Sequence, residues 1–170
     1  MVGRSILQPG GRRTEKRRAA RCCPMPISIK RLSSDDAGVL RRVAPGVFDH
    51  EIDGCLVEEF LNDPRHHLVV ALDASTVVGI VSGVHYVHPD KSPELWINEV
   101  GVAATHRRRG IARRLIDAML GVARDHGCRE AWVLADRSNR AAMALYASVE
   151  GAERPVDQAL FSFELPAPGA

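Results

Sequence analysis

Residues 106–112 read HRRRGIA, so His106, Arg107, Arg108 and Arg109 directly precede Gly110, Ile111 and Ala112 at the head of a helix-periodic run. Cations at a helix N-terminus oppose its dipole at a cost of about 0.3–1 kcal/mol each, so the cluster calls for an anion. The backbone N–H groups of Arg108 to Ala112 lack acceptors within the helix and would converge on one point. Gly110 lets that backbone approach a ligand with no Cβ in the way. A diphosphate meets these conditions: it accepts the N–H donors and the arginine side chains close over it. A basic helix start held only by water is the competing reading, and it leaves the dipole cost without compensation.

A second chemical feature has the opposite sign. Between Asp49 and Asp63 stand Asp49, Glu51, Asp53, Glu58, Glu59 and Asp63, with no Lys or Arg. Together they would attract a cation, Asp53 among them as a substrate-binding candidate, whereas Glu58 and Glu59 taken singly read as a solvated helix face. His66, His67, His85, His88, His106 and His126 form no HExxH pair and have no cysteine at metal spacing. They are expected as surface or strand residues, with His85 and His88 near enough to a strand end to face an acceptor, and no metal is expected.

These groups must be positioned by the elements around them. "ISIKRL" (27–32) reads as a first strand, and Ser33, Ser34 and Asp35 as caps of a helix ending before Pro45. "CLVEEFLN" reads as a second helix. "HLVVALD" and "TVVGIVSGVHYVH" are β-branched strands joined by a tight turn, and "ELWINEVGV" (94–102) is a fourth strand. From Gly110 the apolar period becomes helical through Ile111, Leu115, Met119 and Val122, with Gly127 as a stop. "AWVLAD" is a fifth strand, "SNRAAMALYASV" a helix and "ALFSFEL" (159–165) a closing strand. The order βααβββαβαβ predicts a single-domain α/β protein with a mixed sheet flanked by helices.

The chain has 170 residues, 45% of them apolar, which suits one core, and no apolar run approaches the roughly 18 residues of a membrane span. Its net charge of +2 hides a division. Residues 1–25 hold seven Lys or Arg against Glu15 alone, a net +6, which leaves −4 on residues 26–170. The tail is expected to be a mobile extension. It lacks the interleaved aromatics of a nucleic-acid site, the apolar stripe of a membrane helix and the apolar segment of a secretory signal. Met25 would serve as an alternative start. Cys22, Cys23, Cys55 and Cys128 show no CxxC pairing, which fits a reducing cytoplasm.

The segment Arg107-x-x-Gly110-x-Ala112 resembles the acyl-CoA signature (Q/R)-x-x-G-x-(G/A) of the GNAT-type N-acetyltransferases, and "NRAAMALY" from Asn139 to Tyr146 resembles a second family feature downstream. The two in this order, with "WVLAD" between them, cover residues 26–165. Within the superfamily the chain is most similar to small aminoglycoside 3-N-acetyltransferases, on "ELWINEVGVAATHRRRGIA", "LAD" and "ALYASVEG". Glu99, Leu134, Trp96 and Asn98 depart from that pattern. The resemblance implies a GNAT fold with a splay between the fourth and fifth strands. Acetyl-CoA would have its pantetheine arm against Val100, Gly101 and Val102, with Arg107 to Ala112 and Asn139 completing the cofactor set. It also implies an acceptor bordered by the first helices, with Glu94 and Asp136 in corresponding positions, and a homodimer.

Direct transfer needs an amine that is neutral when it attacks the thioester, hence a base. If the fourth strand alternates regularly, Glu99 shares a face with Leu95 and Ile97, and partial desolvation raises its pKa to a useful range. By resemblance, Tyr146 protonates the departing thiolate. Backbone N–H groups near Val100 to Val102 would polarise the carbonyl. The expected function is acetyl-CoA-dependent N-acetylation of a polycationic small molecule, an aminoglycoside first among them, giving antibiotic resistance. The rivals are a protein N-terminal or lysine acetyltransferase and a non-catalytic acyl-CoA sensor.

Overall fold

A computed structural model describes residues 26–154, 161–163 and 165. The basic extension at 1–25 lies outside the described residues. Five strands, β1 (Ser28–Arg31), β2 (His66–Asp73), β3 (Thr76–Tyr86), β4 (Glu94–Val102) and β5 (Glu130–Val133), form one mixed sheet in the order β1-β2-β3-β4-β5. Pairing is antiparallel from β1 through β4, and β5 joins β4 in parallel. Helices α1 (Gly54–Asn62), α2 (Ile111–Asp125) and α3 (Arg140–Ser148) complete the fold. Among the described residues no helix is long and apolar enough to cross a membrane.

The continuous apolar runs of β2 and β3 are buried on both faces, because α2 covers one side and the segments before β2 cover the other. From α2 the side chains of Ile111, Leu115, Ile116, Met119, Val122 and Ala123 enter the core, the stripe that periodicity predicts. The helix stops where Gly127 takes φ 71°. There the N–H of Cys128 bonds to Ala123 O at 2.9 Å and that of Gly127 to Arg124 O at 3.0 Å, a Schellman pair.

Three expectations change. The segment after Ser33 forms a 3-10 helix, Ser34–Arg41, rather than an α-helix. Leu40 is its one buried side chain, Gly38 weakens its middle, and Val43 is already drawn into an extended bridge with Val77. Of the expected closing strand at 159–165, residues 161–163 and 165 are described and none is in a strand; Phe161 and Phe163 are 78% and 84% exposed. The third change lies in β4. Ser82 pairs with Glu99 but Gly83 pairs with Ile97, so Asn98 is an extra residue, a β-bulge. Leu95 and Ile97 face α2, while Glu99 turns to the opposite face with Ser82.

Candidate active site

The bulge places Glu99 in a cavity of about 330 Å³. Its acidic lining is Asp49, Glu51, Asp53 and Glu99, and no Lys or Arg lines it. Phe48, Ile52, Leu56, Val57 and Phe60 supply apolar walls. Burial, and then the negative charge of Asp49, push the Glu99 carboxyl above its ordinary value, with His50 pulling weakly the other way. The shift expected of Glu99 is therefore present, although the bulge gives it a different face and different neighbours from those regular alternation implies. Ser82 and His67 are the buried polar side chains among the described residues, and Ser82 lines this cavity.

Asp53 caps α1. Its Oδ1 accepts from the N–H groups of Cys55 at 2.7 Å and Leu56 at 3.5 Å, and the residue still lines the cavity. Glu58 and Glu59 are exposed on α1 and do not line it, and Asp63 is bound by Arg65. Glu94 and Asp136 do not join this group. Glu94 sits five residues before Glu99, roughly 16 Å along a strand, and accepts from Tyr86 Oη at 2.8 Å and from Lys91 Nζ. Those two bonds, Lys91 first, hold its carboxyl below the ordinary value. Trp132 Nε1 in turn donates to Tyr86 Oη at 2.8 Å. Asp136 is exposed in the turn before α3 and accepts from Ser138 N at 2.7 Å, which lowers its pKa.

The second half of the site begins where β4 and β5 part. Their parallel pairing runs from Glu94↔Glu130 to Ile97↔Val133, and β4 continues to Val102 without β5 beside it. This is the splay the resemblance implies. Ala103 N donates to Val78 O at 2.9 Å, so by antiparallel alternation Gly101 also bonds towards β3 while Val100 and Val102 turn their amides away, into the splay. Gly101 has another task as well: a Cβ there would stand 2.0 Å from Val47 O, so only glycine admits that crossing.

Beyond β4 a short 3-10 turn, Ala104–His106, leads to α2. His106 is tied to Asp73 Oδ2 at 3.1 Å and to Thr105 Oγ1 at 2.9 Å, so it anchors the turn. Arg107 Nε donates to Val102 O at 3.1 Å, which fixes that guanidinium beside the end of β4. Arg108 and Gly110 both adopt left-handed backbone, φ 63° and 73°. For arginine this is a strained conformation, held where the backbone turns its N–H groups outward. Arg107, Arg108, Arg109 and Gly110 are exposed. The first intrahelical bond here runs from Arg114 N to Gly110 O, and among the described residues the N–H groups of Ile111, Ala112 and Arg113 have no acceptor. The loop fits a diphosphate.

α3 lies against α2, with Leu145 and Tyr146 packed on the core. Asn139 caps it, Oδ1 accepting from Ala142 N at 3.1 Å. Tyr146 packs against the core, and burial raises its phenol above the ordinary value. Sequence reasoning missed Phe48, Ser82 and the convergence of His67, His85 and His126 on the α2 face. His85 consequently faces away from the cavity, and His88 lies 3.8 Å from Glu94.

Residues 38–151 match the model of the acetyltransferase (GNAT) family. Among solved structures, the chain is similar to the aminoglycoside acetyltransferase meta-AAC0020 from an uncultured soil metagenomic sample, in complex with sisomicin, at 22% identity and TM-score 0.69 over 81% of this chain and 97% of that one. It is similar to AAC(6')-Iy in complex with the bisubstrate analogue CoA-S-monomethyl-acetylneamine, at 19% identity and TM-score 0.68 over 83% and 99%. It is also similar to a ribosomal-protein-alanine N-acetyltransferase from Brucella melitensis biovar Abortus 2308, at 22% identity and TM-score 0.64 over 81% and 100%. Likeness at these identities carries the fold alone. No curated protein matches the chain.

Proposed function

Because the chain belongs to the acetyltransferase (GNAT) family, and is thus an acetyl-CoA-dependent acyltransferase, we propose that it acetylates an amine of a polycationic small molecule, an aminoglycoside first among them. The observation that carries this reading is the cavity whose polar lining is dominated by Asp49, Glu51, Asp53 and Glu99, with His50 beside them and no Lys or Arg. Several carboxylates in one concave site suit a guest with several ammonium groups, and the apolar walls suit the faces of sugar rings. A peptide N-terminus brings one positive charge and does not call for four carboxylates.

Acetyl-CoA supplies the activated acyl group as a thioester. The free N–H groups of Ile111, Ala112 and Arg113, with Arg107, Arg108, Arg109 and Gly110, would hold its diphosphate. The N–H and C=O of Val100 and the N–H of Val102 in the splay are left for the pantetheine arm, Val102 O being taken by Arg107, and Gly101 contributes close approach rather than a bond. Glu99, raised by burial and by Asp49, takes the proton that the amine must lose, an effect worth about 10² to 10⁴ in rate. Tyr146, kept protonated by burial, returns a proton to the leaving thiolate. Asp53 orients a second ammonium group. Glu94 acts through the strand end it braces, Asp136 through the turn it holds with Ser138, and Asn139 by capping α3.

The 3-N amine implied by the sequence resemblance is the acceptor nitrogen to examine first. A cytoplasmic homodimer conferring aminoglycoside resistance completes the proposal, with sedimentation and inhibitory concentrations as its tests. The decisive experiment is acetyl-CoA consumption with gentamicin-like, kanamycin-like, polyamine and peptide amines. Turnover of aminoglycosides supports the reading. Turnover of peptide amines alone replaces it with the protein acetyltransferase, and binding of acetyl-CoA without turnover of any amine replaces it with a sensor.

A further inference from the structure

On the face of the sheet opposite the acidic cavity, three histidines from three elements meet: His67 of β2, His85 of β3 and His126 at the end of α2. Their ring centroids stand 5.1 Å (His67–His85), 4.7 Å (His67–His126) and 4.5 Å (His85–His126) apart. His67 Nε2 and His85 Nδ1 are 2.8 Å apart, and one nitrogen of each ring lies within 4.8 Å of the others. His67 is only 3% exposed. An apolar side chain there would bury similar area without the cost of desolvating an imidazole, so packing alone does not account for the trio.

We propose that His67, His85 and His126 form a binding site for a divalent transition-metal ion, with Zn²⁺ the best match to three imidazole ligands. Neutral imidazole is the ligating form, and imidazole donors favour zinc, copper and nickel over magnesium or calcium. Three protein nitrogens leave a fourth zinc position to solvent. Zinc–nitrogen bonds of about 2.0–2.1 Å set tetrahedral ligands about 3.4 Å apart, so the widest pair, up to 4.8 Å, must close by about 1.4 Å. His126 can supply that movement, since it is partly exposed at a helix end.

One group opposes the ion. Arg31 Nη2 lies 3.4 Å from His67 Nδ1 and 3.0 Å from His126 Nε2, a competing cation on an exposed residue. Coordination would displace it into solvent. The proton shared between His67 and His85 moves to the outer nitrogen of its own ring, a tautomer change that releases no net proton. The bound ion ties β2, β3 and the end of α2 together, away from the cavity, and takes no part in acyl transfer.

The test uses the untagged full chain, stripped with a chelator and titrated with Zn²⁺ by calorimetry and with Co²⁺ by visible absorption. The expected result is one saturable site, four-coordinate cobalt bands and a Tm that climbs with zinc concentration. His126→Ala and His85→Ala should weaken binding roughly 100-fold or more. Arg31→Ala should tighten it about tenfold, and His88→Ala, outside the trio, should leave it unchanged. His126 is partly exposed at its helix end, so its variant reports on ligation even if the His85 variant fails to fold. Absence of a saturable site, or a site indifferent to His126→Ala, overturns the proposal.

Discussion

Glu99 stands across the ladder from Ser82, while Ile97, two residues earlier, stands across from Gly83, so Asn98 has no partner on β3. This single extra residue decides which face of the sheet carries the carboxylate. With regular alternation Glu99 would point at α2 and the core. The bulge turns it instead into the cavity that holds Asp49 and Asp53.

Replacing Glu99 with Gln is expected to lower kcat by about 10² to 10⁴ and to abolish the acidic limb of the pH–rate profile. That limb should lie above the ordinary carboxylate range, because burial and Asp49 both raise the group. Asp49→Asn removes the second of these causes and should move the limb to lower pH. An unmoved limb in Asp49→Asn would show that another group titrates.

The same shift predicts a stability effect of opposite sign. A carboxyl with a raised folded-state pKa contributes most below its unfolded pKa, and that contribution is lost as pH rises through the folded value. At neutral pH the ionised Glu99 is therefore a burden on the fold. Glu99→Gln should melt higher than the wild type near pH 7, with the gain vanishing below pH 4. A fluorimetric melt across pH 3.5–8 checks this.

Gly110 separates stability from cofactor binding. It caps α2 at φ 73°, and a Cβ there meets nothing within 4 Å. Asp tolerates left-handed backbone better than most residues, though at a cost that glycine does not bear. Gly110→Asp should thus cost only about 1 kcal/mol of stability, the scale of left-handed strain, while its carboxylate repels a diphosphate and abolishes measurable acetyl-CoA binding by calorimetry. Unchanged affinity would remove the loop from the cofactor site.

Much of this was legible in the sequence because it is local. The bounds of β4, the buried stripe of α2 and its glycine stop follow from period and turn chemistry. The cation cluster before Gly110 signals an unpaired helix start by its own electrostatic cost. The bulge was not legible: a strand with one extra residue carries the same residue types as a regular one, and only the partner strand shows which residue is unmatched. His67, His85 and His126 are scattered through the sequence, and the folding of two strands against one helix end is what brings them together. Glu94 resembles a site residue by position, and the bonds it accepts from Tyr86 and Lys91, with Trp132 behind Tyr86, were not legible in the sequence.

Asp53 has two duties, and two substitutions divide them. Its Oδ1 caps α1 through Cys55 and Leu56, while its charge faces the cavity. Asn caps a helix about as well as Asp, so Asp53→Asn should keep Tm and raise KM for a polycationic acceptor about tenfold, the scale of one charge-assisted hydrogen bond. Asp53→Ala loses the cap as well and should cost about 0.5–2 kcal/mol of stability in denaturant unfolding. The acceptor constants of the two variants should then agree while their stabilities differ. If Asp53→Asn binds the acceptor as well as the wild type, the carboxylate serves the helix alone, and Asp49, Glu51 and Glu99 must account for cation selectivity without it.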